Sequence, residues 1–311
     1  MSGRRRTAGR KGRQMLTEER IKETCIAKYK VISSPRHQIP DTPERWDRIL
    51  EKFWQESDES AAFTAMILER VRKTAAFLGE YDFPGPDDEI LDLGCGIGLY
   101  TTEFAAHAKK VTALDFSQSV LDQARDRNRR AGFENVDYER CDIKTLNPEE
   151  HGWSRKFDLV FSAMTPDCYQ YESVRKMEAM SRKFCCLQMA LSATYDPGTD
   201  IMRQVFGSKT VLSRDRRKDF QLLNDFLSLE GGFPSVRYYR DGCSVPADEE
   251  EYLVRMLARA HIRECTDEQM QKLRELAGQK KENGVLQTRQ DWLAGWILWD
   301  VREKECCPVS G

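Results

Sequence analysis

Between residues 85 and 195 the chain alternates short apolar runs with segments of helical periodicity. The apolar runs are nearly continuous, as in Leu159-Val160-Phe161, which is typical of strands in a parallel sheet that is covered on both faces. Because strand and helix alternate, the pattern indicates an α/β fold. It predicts strands near 89–93, 111–115, 136–140, 157–161 and 183–190, and helices near 98–108, 117–131 and 171–181.

Helical patterns also flank this core on both sides. Trp46, Leu50 and Phe53 or Trp54 recur at helical spacing, a second helix is predicted over 60–78, and Pro84-Gly85-Pro86 then breaks the chain. Beyond residue 196 the pattern changes to charged helices and two late strands. The predicted elements there are helices near 200–206, 215–229, 248–260 and 266–278, and strands near 236–240 and 292–301.

These elements predict a Rossmann-like, mostly parallel seven-stranded sheet with helices on both faces, an N-terminal helical lid and a C-terminal helical insertion. Trp46 and Trp54 are either lid residues or packing anchors of the lid segment. The predicted divisions are a disordered basic tail (1–15), a helical lid segment (16–84), a cofactor-binding core (85–195), a C-terminal half with a helical cap and the final strands (196–303), and a tail (304–311).

A glycine-rich turn follows the first predicted strand. Glycines stand at 94, 96 and 98, directly after the strand that contains Asp92. Glycine lets the chain turn tightly and brings bare backbone against a ligand, and the following helix offers unpaired N–H groups to it. The second predicted strand ends at Asp115, where a carboxylate of a βαβ unit accepts hydrogen bonds from both hydroxyls of a ribose. The turn and the acid therefore predict a nucleoside site.

The spacing of the glycines distinguishes between nucleosides. The loop reads G-x-G-x-G, whereas a dinucleotide fingerprint reads G-x-G-x-x-G. Asp92, two residues before the first glycine, repels a pyrophosphate and attracts an amino group. S-adenosylmethionine fits this chemistry, because it carries adenine, ribose and an α-amino group but no phosphate. A nicotinamide-dependent oxidoreductase is disfavoured for the same reasons.

With these motifs the sequence resembles the class I S-adenosylmethionine-dependent methyltransferases over roughly residues 85 to 195. Asp92 and the glycines match their first motif, and Asp115 matches the ribose-binding acid. Asp142-Ile143 match the pair that flanks adenine, and Phe157–Ser162 match the fourth strand. The run from Met164 to Pro166 resembles small-molecule-type methyltransferases of anaerobic bacteria and archaea, most of whose substrates are unassigned.

The resemblance implies a set of site residues near the carboxyl ends of the strands. Asp167 or Tyr169 is expected to act as general base or to hydrogen-bond the substrate, the alternative being loop capping and packing. His37 is a third catalytic candidate, since it lies just before the helical lid. Tyr100 either contacts the methionine end of the cofactor or packs at the helix start. The cofactor-binding candidates are Asp92, Gly94, Cys95, Gly96, Gly98, Tyr100, Asp115, Phe116, Asp142, Ile143 and Ser162.

The composition of the chain limits which binding partners and which cellular compartment are expected. The 311 residues carry a net charge of −2, so a general affinity for nucleic acid is not expected. Arginine and lysine crowd residues 1–14, which form either a solvated tail or a nucleic-acid contact. The chain lacks an apolar run long enough to span a membrane. Ten cysteines without a C-x-x-C pair favour a reducing cytoplasm.

The sequence therefore predicts a cytoplasmic methyltransferase that uses S-adenosylmethionine to methylate a small molecule, without a metal. Its oligomeric state stays open. The first alternative is an RNA or protein methyltransferase that binds through the arginine-rich tail, and the second is a non-catalytic S-adenosylmethionine-binding protein. Methylation of arsenic at Cys306-Cys307 is disfavoured, because that chemistry needs several thiols converging on the sulfonium.

Overall fold

The computed structural model describes residues 18–33, 61–210, 212–213, 215–262 and 264–302. The predictions for His37, Trp46, Trp54, the basic tail and Cys306-Cys307 lie outside these ranges. In the described part, none of the helices combines the length and the apolar composition that crossing a membrane requires. The cytoplasmic location stays a prediction.

The sheet is mostly parallel and Rossmann-like, as predicted, and has eight strands rather than seven. Seven strands follow the order β3-β2-β1-β4-β5-β8-β6, and a two-residue strand, β7, pairs with β8. The strands from β3 to β5 along this order are parallel, whereas β8 runs antiparallel to both β5 and β6. The bounds are β1 Glu89–Leu93, β2 Lys110–Asp115, β3 Val136–Arg140, β4 Phe157–Ala163, β5 Ser181–Asp196, β6 Ser235–Ala247, β7 Lys281–Glu282 and β8 Val285–Asp300.

Nine α-helices and one 3-10 helix are described. The α-helices are α1 Glu18–Ser33, α2 Ala61–Gly79, α3 Leu99–Ala105, α4 Gln118–Arg130, α5 Tyr171–Met180, α6 Gly198–Phe206, α7 Arg217–Leu229, α8 Glu249–Arg259 and α9 Asp267–Gly278, and the 3-10 helix is Pro166–Tyr169.

Helices cover both faces of the sheet, as predicted. Phe77 of α2 and Phe104 of α3 belong to the apolar cluster on one face, and Tyr29 of α1 and Phe226 of α7 belong to the cluster on the other. Cys185 and Cys186, adjacent on β5, fall into these two separate clusters, because successive strand residues point to opposite faces. Although α2 lies in the predicted lid segment, it is a helix of the core; a lid role for that segment stays a prediction.

The outer strands are longer than predicted. The structure extends β6 to Ala247 and starts β8 at Val285, whereas the sequence indicated only 236–240 and 292–301. In the added part of β8, buried Leu286 and Thr288 alternate with exposed Gln287 and Arg289. Such alternation marks a strand with one solvated face, and a search for continuous apolar runs overlooks it.

The long strands carry the C-terminal helices past the carboxyl edge of the parallel sheet. Gln188 of β5 pairs with Ala163, the last residue of β4, yet β5 continues to Asp196, roughly 25 Å further at about 3.3 Å per residue. Helices α6, α8 and α9 pack around Tyr195 of this extension in a third apolar cluster. We use the name cap for helices α6, α8 and α9 together with the extended strand ends in this cluster. It matches the predicted helical insertion, while the predicted domain boundaries stay predictions.

Candidate active site

The glycine loop between β1 and α3 has the backbone that the sequence predicts. Gly94, Gly96 and Gly98 all have positive φ, at 70°, 55° and 79°. A Cβ on Gly94 would collide with the side chain of Thr165 from the loop after β4, whereas a Cβ on Gly96 would meet nothing within 4 Å. At Gly94 the glycine loop therefore packs tightly against the loop after β4, and at Gly96 it borders open space.

Asp115 fixes the middle of that loop. It lies at the end of β2 and is 6% exposed. Its Oδ2 accepts a hydrogen bond from the Gly96 N–H (3.1 Å) and its Oδ1 accepts one from the Ser117 N–H (3.1 Å). Ser117, not Asp115, caps α4 through its side chain, so a capping role does not account for this acid. A carboxylate accepts hydrogen bonds through both of its oxygens, and this chemistry suits the two hydroxyls of a ribose.

Asp92 is a buried carboxyl group beside the loop. It is 1% exposed, and the hydroxyl of Thr101 donates a hydrogen bond to its Oδ2 at 2.7 Å. Burial raises the pKa of Asp92 to about 7, with a further contribution from the charge of Asp115, while the bond from Thr101 acts in the opposite direction. A cation that approached this group would favour its ionised form, which fits the α-amino group of S-adenosylmethionine.

The segments after β2 and β3 lie at the same edge of the sheet. Cys141, at the end of β3, donates its backbone N–H to the Asp115 carbonyl at 3.1 Å. The next residue, Asp142, accepts the Lys144 N–H at 2.9 Å and is half-buried, whereas Ile143 packs in the core. Phe116 is half-buried directly after Asp115. These predicted contacts are thus neighbours of the acid that fits a ribose.

Two predicted cofactor residues face into the protein. The hydroxyl of Ser162 is fully buried and donates to the Leu93 carbonyl at 2.8 Å, which ties β4 to β1. The thiol of Cys95 is buried, and burial raises its pKa. Both side chains therefore lie in the interior of the protein, where they stabilise the loop.

A buried glutamine that sequence reasoning missed connects the loop to the sheet. Tyr100 donates its hydroxyl to Oε1 of Gln188 (2.6 Å), and Nε2 of Gln188 donates to the hydroxyls of Thr74 (3.1 Å) and Tyr239 (2.8 Å). The Trp296 indole N–H also donates to Thr74. The available signal was one amide inside the apolar run of β5, because a buried polar side chain needs hydrogen-bond partners.

The loop after β4 meets the same glutamine. The Met164 N–H and the Tyr169 hydroxyl both donate to the Gln188 carbonyl, at 2.9 and 3.1 Å. Met164 has a φ of 58°, a strained conformation for a residue other than glycine and one often found at functional sites. The end of β4, which faces the reacting group in folds of this kind, is therefore fixed by β5.

Asp167 and Tyr169 are the two catalytic candidates within the described residues, and both interact with neighbouring groups of the protein. Asp167 forms an ion pair with Lys144 at 2.8 Å and accepts a hydrogen bond from Gln170 at 3.0 Å. Tyr169 is buried, and burial raises the pKa of its phenol far above its ordinary value, so it is protonated at neutral pH. Within the described ranges, His, Cys, Asp and Glu side chains do not converge in threes as metal ligands would.

Comparison with known proteins finds similarity to methyltransferases. Residues 90–183 match the family described as methyltransferase domain. A 23S rRNA uracil-C5 methyltransferase of Marinomonas is 34% identical over 67 residues, which is 21% of this chain and 15% of that protein. A ubiquinone biosynthesis O-methyltransferase of Nitrosococcus oceani is 26% identical over 124 residues, 39% of this chain and 48% of that protein.

Among solved structures, a putative methyltransferase from Bacillus halodurans is similar with a TM-score of 0.47 and 18% identity, covering 75% of this chain and 98% of that one. The chain spans only 15% of the length of the rRNA methyltransferase of Marinomonas.

Proposed function

We propose that this chain, whose residues 90–183 match the methyltransferase domain family, is a class I S-adenosylmethionine-dependent methyltransferase that transfers the methyl group of S-adenosylmethionine to a small molecule. One observation carries the proposal: the open side of Gly96 adjoins the buried carboxylate of Asp115, with Asp92 next to the same loop. This combination suits a ribose and an amino group together. It does not suit a pyrophosphate, which Asp92 would repel.

Each part of the site has a task in binding the cofactor. Asp115 accepts hydrogen bonds from the ribose hydroxyls, and Asp92 attracts the α-amino group. Asp142 and Ile143 flank the adenine, and Tyr100 contacts the methionine end. The bound cofactor supplies a methyl group that its positive sulfur has already activated. The protein therefore has to orient the acceptor and exclude water more than it has to activate the methyl group.

The reaction is an in-line displacement. A lone pair of the acceptor forms the new bond to the methyl carbon while the bond from that carbon to sulfur breaks. An acceptor O–H, N–H or S–H also loses its proton to a base or to water. Asp167 is paired with Lys144, and Tyr169 is a protonated phenol. We therefore assign these two residues to orienting the loop rather than to removing a proton, and His37 remains a candidate base.

Several features favour a small acceptor over RNA. The cap extends past the carboxyl edge of the sheet, and we expect it to limit the size of the acceptor. The net charge of −2 gives no general attraction for a polyanion. The rRNA methyltransferase of Marinomonas aligns with this chain over only 15% of its length. RNA or protein as the acceptor, and cofactor binding without catalysis, are the alternatives.

Calorimetric titration of the full chain with S-adenosylhomocysteine tests the proposal. We expect micromolar binding, about −8 kcal/mol, and failure of the folded protein to bind would overturn the proposal. Transfer of a labelled methyl group to metabolites then separates an enzyme from a binding protein. A steep loss of acceptor binding with added salt would indicate RNA, because each phosphate contact adds to the salt dependence.

A further inference from the structure

Arg216 lies beside the loop that faces the methyl-transfer site. Its guanidinium carbon is 5.5 Å from the centre of the Tyr169 ring, within the range of a cation–π contact. Its backbone N–H donates to the Leu191 carbonyl of β5 at 2.7 Å. Arg216 is therefore held against β5 just beyond Gln188, on the side of the sheet edge from which the cap rises.

A chain of contacts connects the guanidinium to the glycine loop. Thr165 lies against Gly94 and its hydroxyl reaches the Gly94 carbonyl at 3.4 Å. The 3-10 helix that follows ends at Tyr169, and the guanidinium of Arg216 lies over the ring of this tyrosine. Arg216 thus contacts the end of this loop opposite to the end that meets Gly94, and we expect the acceptor to bind there.

The charge of Arg216 lacks a counter-ion in the described structure. Its side chain is half-buried, and among the described residues no carboxylate forms an ion pair with it. The next residue, Arg217, is exposed and donates to both oxygens of Asp215. Arg70, which is buried, is paired with an acid as well. Removing a charge from water without a partner is costly, so a half-buried guanidinium without an acid among the described residues fits an anion that binds beside it.

We infer that Arg216 binds an acidic group of the methyl acceptor, so that the substrate is a small carboxylate or phosphate ester. This inference rests on the proposed function. The planar guanidinium offers two parallel N–H groups, which match two oxygens of a carboxylate or phosphate. The ring of Tyr169 supports the guanidinium from one side, so that the acceptor is oriented by its acid while its nucleophilic atom faces the methyl group.

The test uses the full chain saturated with S-adenosylhomocysteine and pairs of acidic and neutral probes. The pairs are benzoate with benzamide, cinnamate with cinnamamide, and phenyl phosphate with phenol. Each is titrated while the melting temperature is recorded. We expect the acidic member of at least one pair, but not its neutral partner, to stabilise the protein. Comparing the two carboxylate pairs with the phosphate pair then shows which kind of acid the site binds.

Two adjacent arginines give a matched pair of variants. Arg216→Gln should raise the half-saturating concentration of the acidic probe about ten- to a hundredfold, Arg216→Lys should have a smaller effect, and Arg217→Gln should have none. Affinity for S-adenosylhomocysteine should be unchanged in all three variants, and this measurement separates the inference from the proposed function. If no acidic probe stabilises the complex, if neutral partners do so equally, or if Arg216→Gln behaves like Arg217→Gln, the inference is wrong.

Discussion

At the scale of single residues, Asp92 gives the cofactor site a dependence on pH. Burial raises its pKa to about 7, so near neutral pH the free protein holds this carboxyl partly protonated. The amino group of the cofactor favours the ionised form. We therefore expect affinity for S-adenosylhomocysteine to increase as the pH rises from 6 to 8, and binding at pH 6 to release a proton.

Calorimetry at pH 6 in buffers with different heats of ionisation measures this proton directly. Asp92→Asn should abolish the release and weaken binding. Because the pKa in the folded protein lies above that of an unfolded aspartate, the carboxyl group destabilises the free protein increasingly as the pH rises from about 4 to about 7. Asp92→Asn should therefore raise the melting temperature more at pH 8 than at pH 5. Equal effects at both pH values would contradict the assignment.

Asp115 provides the second prediction at this scale. Asp115→Ala should weaken binding of S-adenosylhomocysteine by about 1–3 kcal/mol, because two hydrogen bonds to a charged acceptor are lost. Asp137→Ala is the control, since Asp137 is exposed on the neighbouring strand and pairs with Lys110. Calorimetry of both variants measures their affinity for S-adenosylhomocysteine. An unchanged affinity in folded Asp115→Ala would rule out the ribose assignment.

At the scale of elements, Gln188 joins α2, α3, β5 and β6 through its amide. Replacing it with leucine removes the acceptor of the Tyr100 hydroxyl and the donor to the Tyr239 hydroxyl in the interior, at about 1–3 kcal/mol for each unsatisfied group. Thr74 keeps its hydrogen bonds with the Trp296 indole and the Arg70 carbonyl. We expect Gln188→Leu to reduce the free energy of unfolding by about 2–4 kcal/mol in urea. Gln123→Leu, on the exposed face of α4, should change it by less than about 0.5 kcal/mol. A similar small change in both variants would contradict this role.

The element scale also explains what the sequence could predict. The parallel strands were predictable, because burial on both faces leaves a continuous apolar run, and the glycine loop with its two acids follows from local motifs. Gln188 was not predictable as the centre of a network, because its partners lie up to 114 residues away in the chain. For the same reason Arg216 carries no sequence signal: its contact with Tyr169 exists only once β5 has brought the two segments together.

At the scale of the whole molecule, the cap and the cofactor site share continuous strands but use different contacts. Gly198 begins α6 within the cap, and a Cβ there would lie 2.6 Å from both the Tyr252 hydroxyl and the Met256 sulfur of α8. Gly198→Ala should therefore displace the buried side chains of Tyr252 and Met256 and disturb the hydrogen bond from the Gly198 N–H to the Tyr252 hydroxyl. We expect a cost of about 1–3 kcal/mol of stability, without an effect on the glycine loop. The melting temperature should fall while the affinity for S-adenosylhomocysteine stays unchanged.

Gly278→Ala is the matched control for this variant, because a Cβ at the end of α9 meets nothing within 4 Å. It should leave the melting temperature nearly unchanged. If the cap also bounds the acceptor side, Gly198→Ala should weaken binding of an acidic probe to the S-adenosylhomocysteine complex, whereas Gly278→Ala should not. Loss of cofactor affinity in Gly198→Ala would instead mean that the cap and the glycine loop are coupled through β5, since this strand carries both the start of the cap and the anchor of Tyr100.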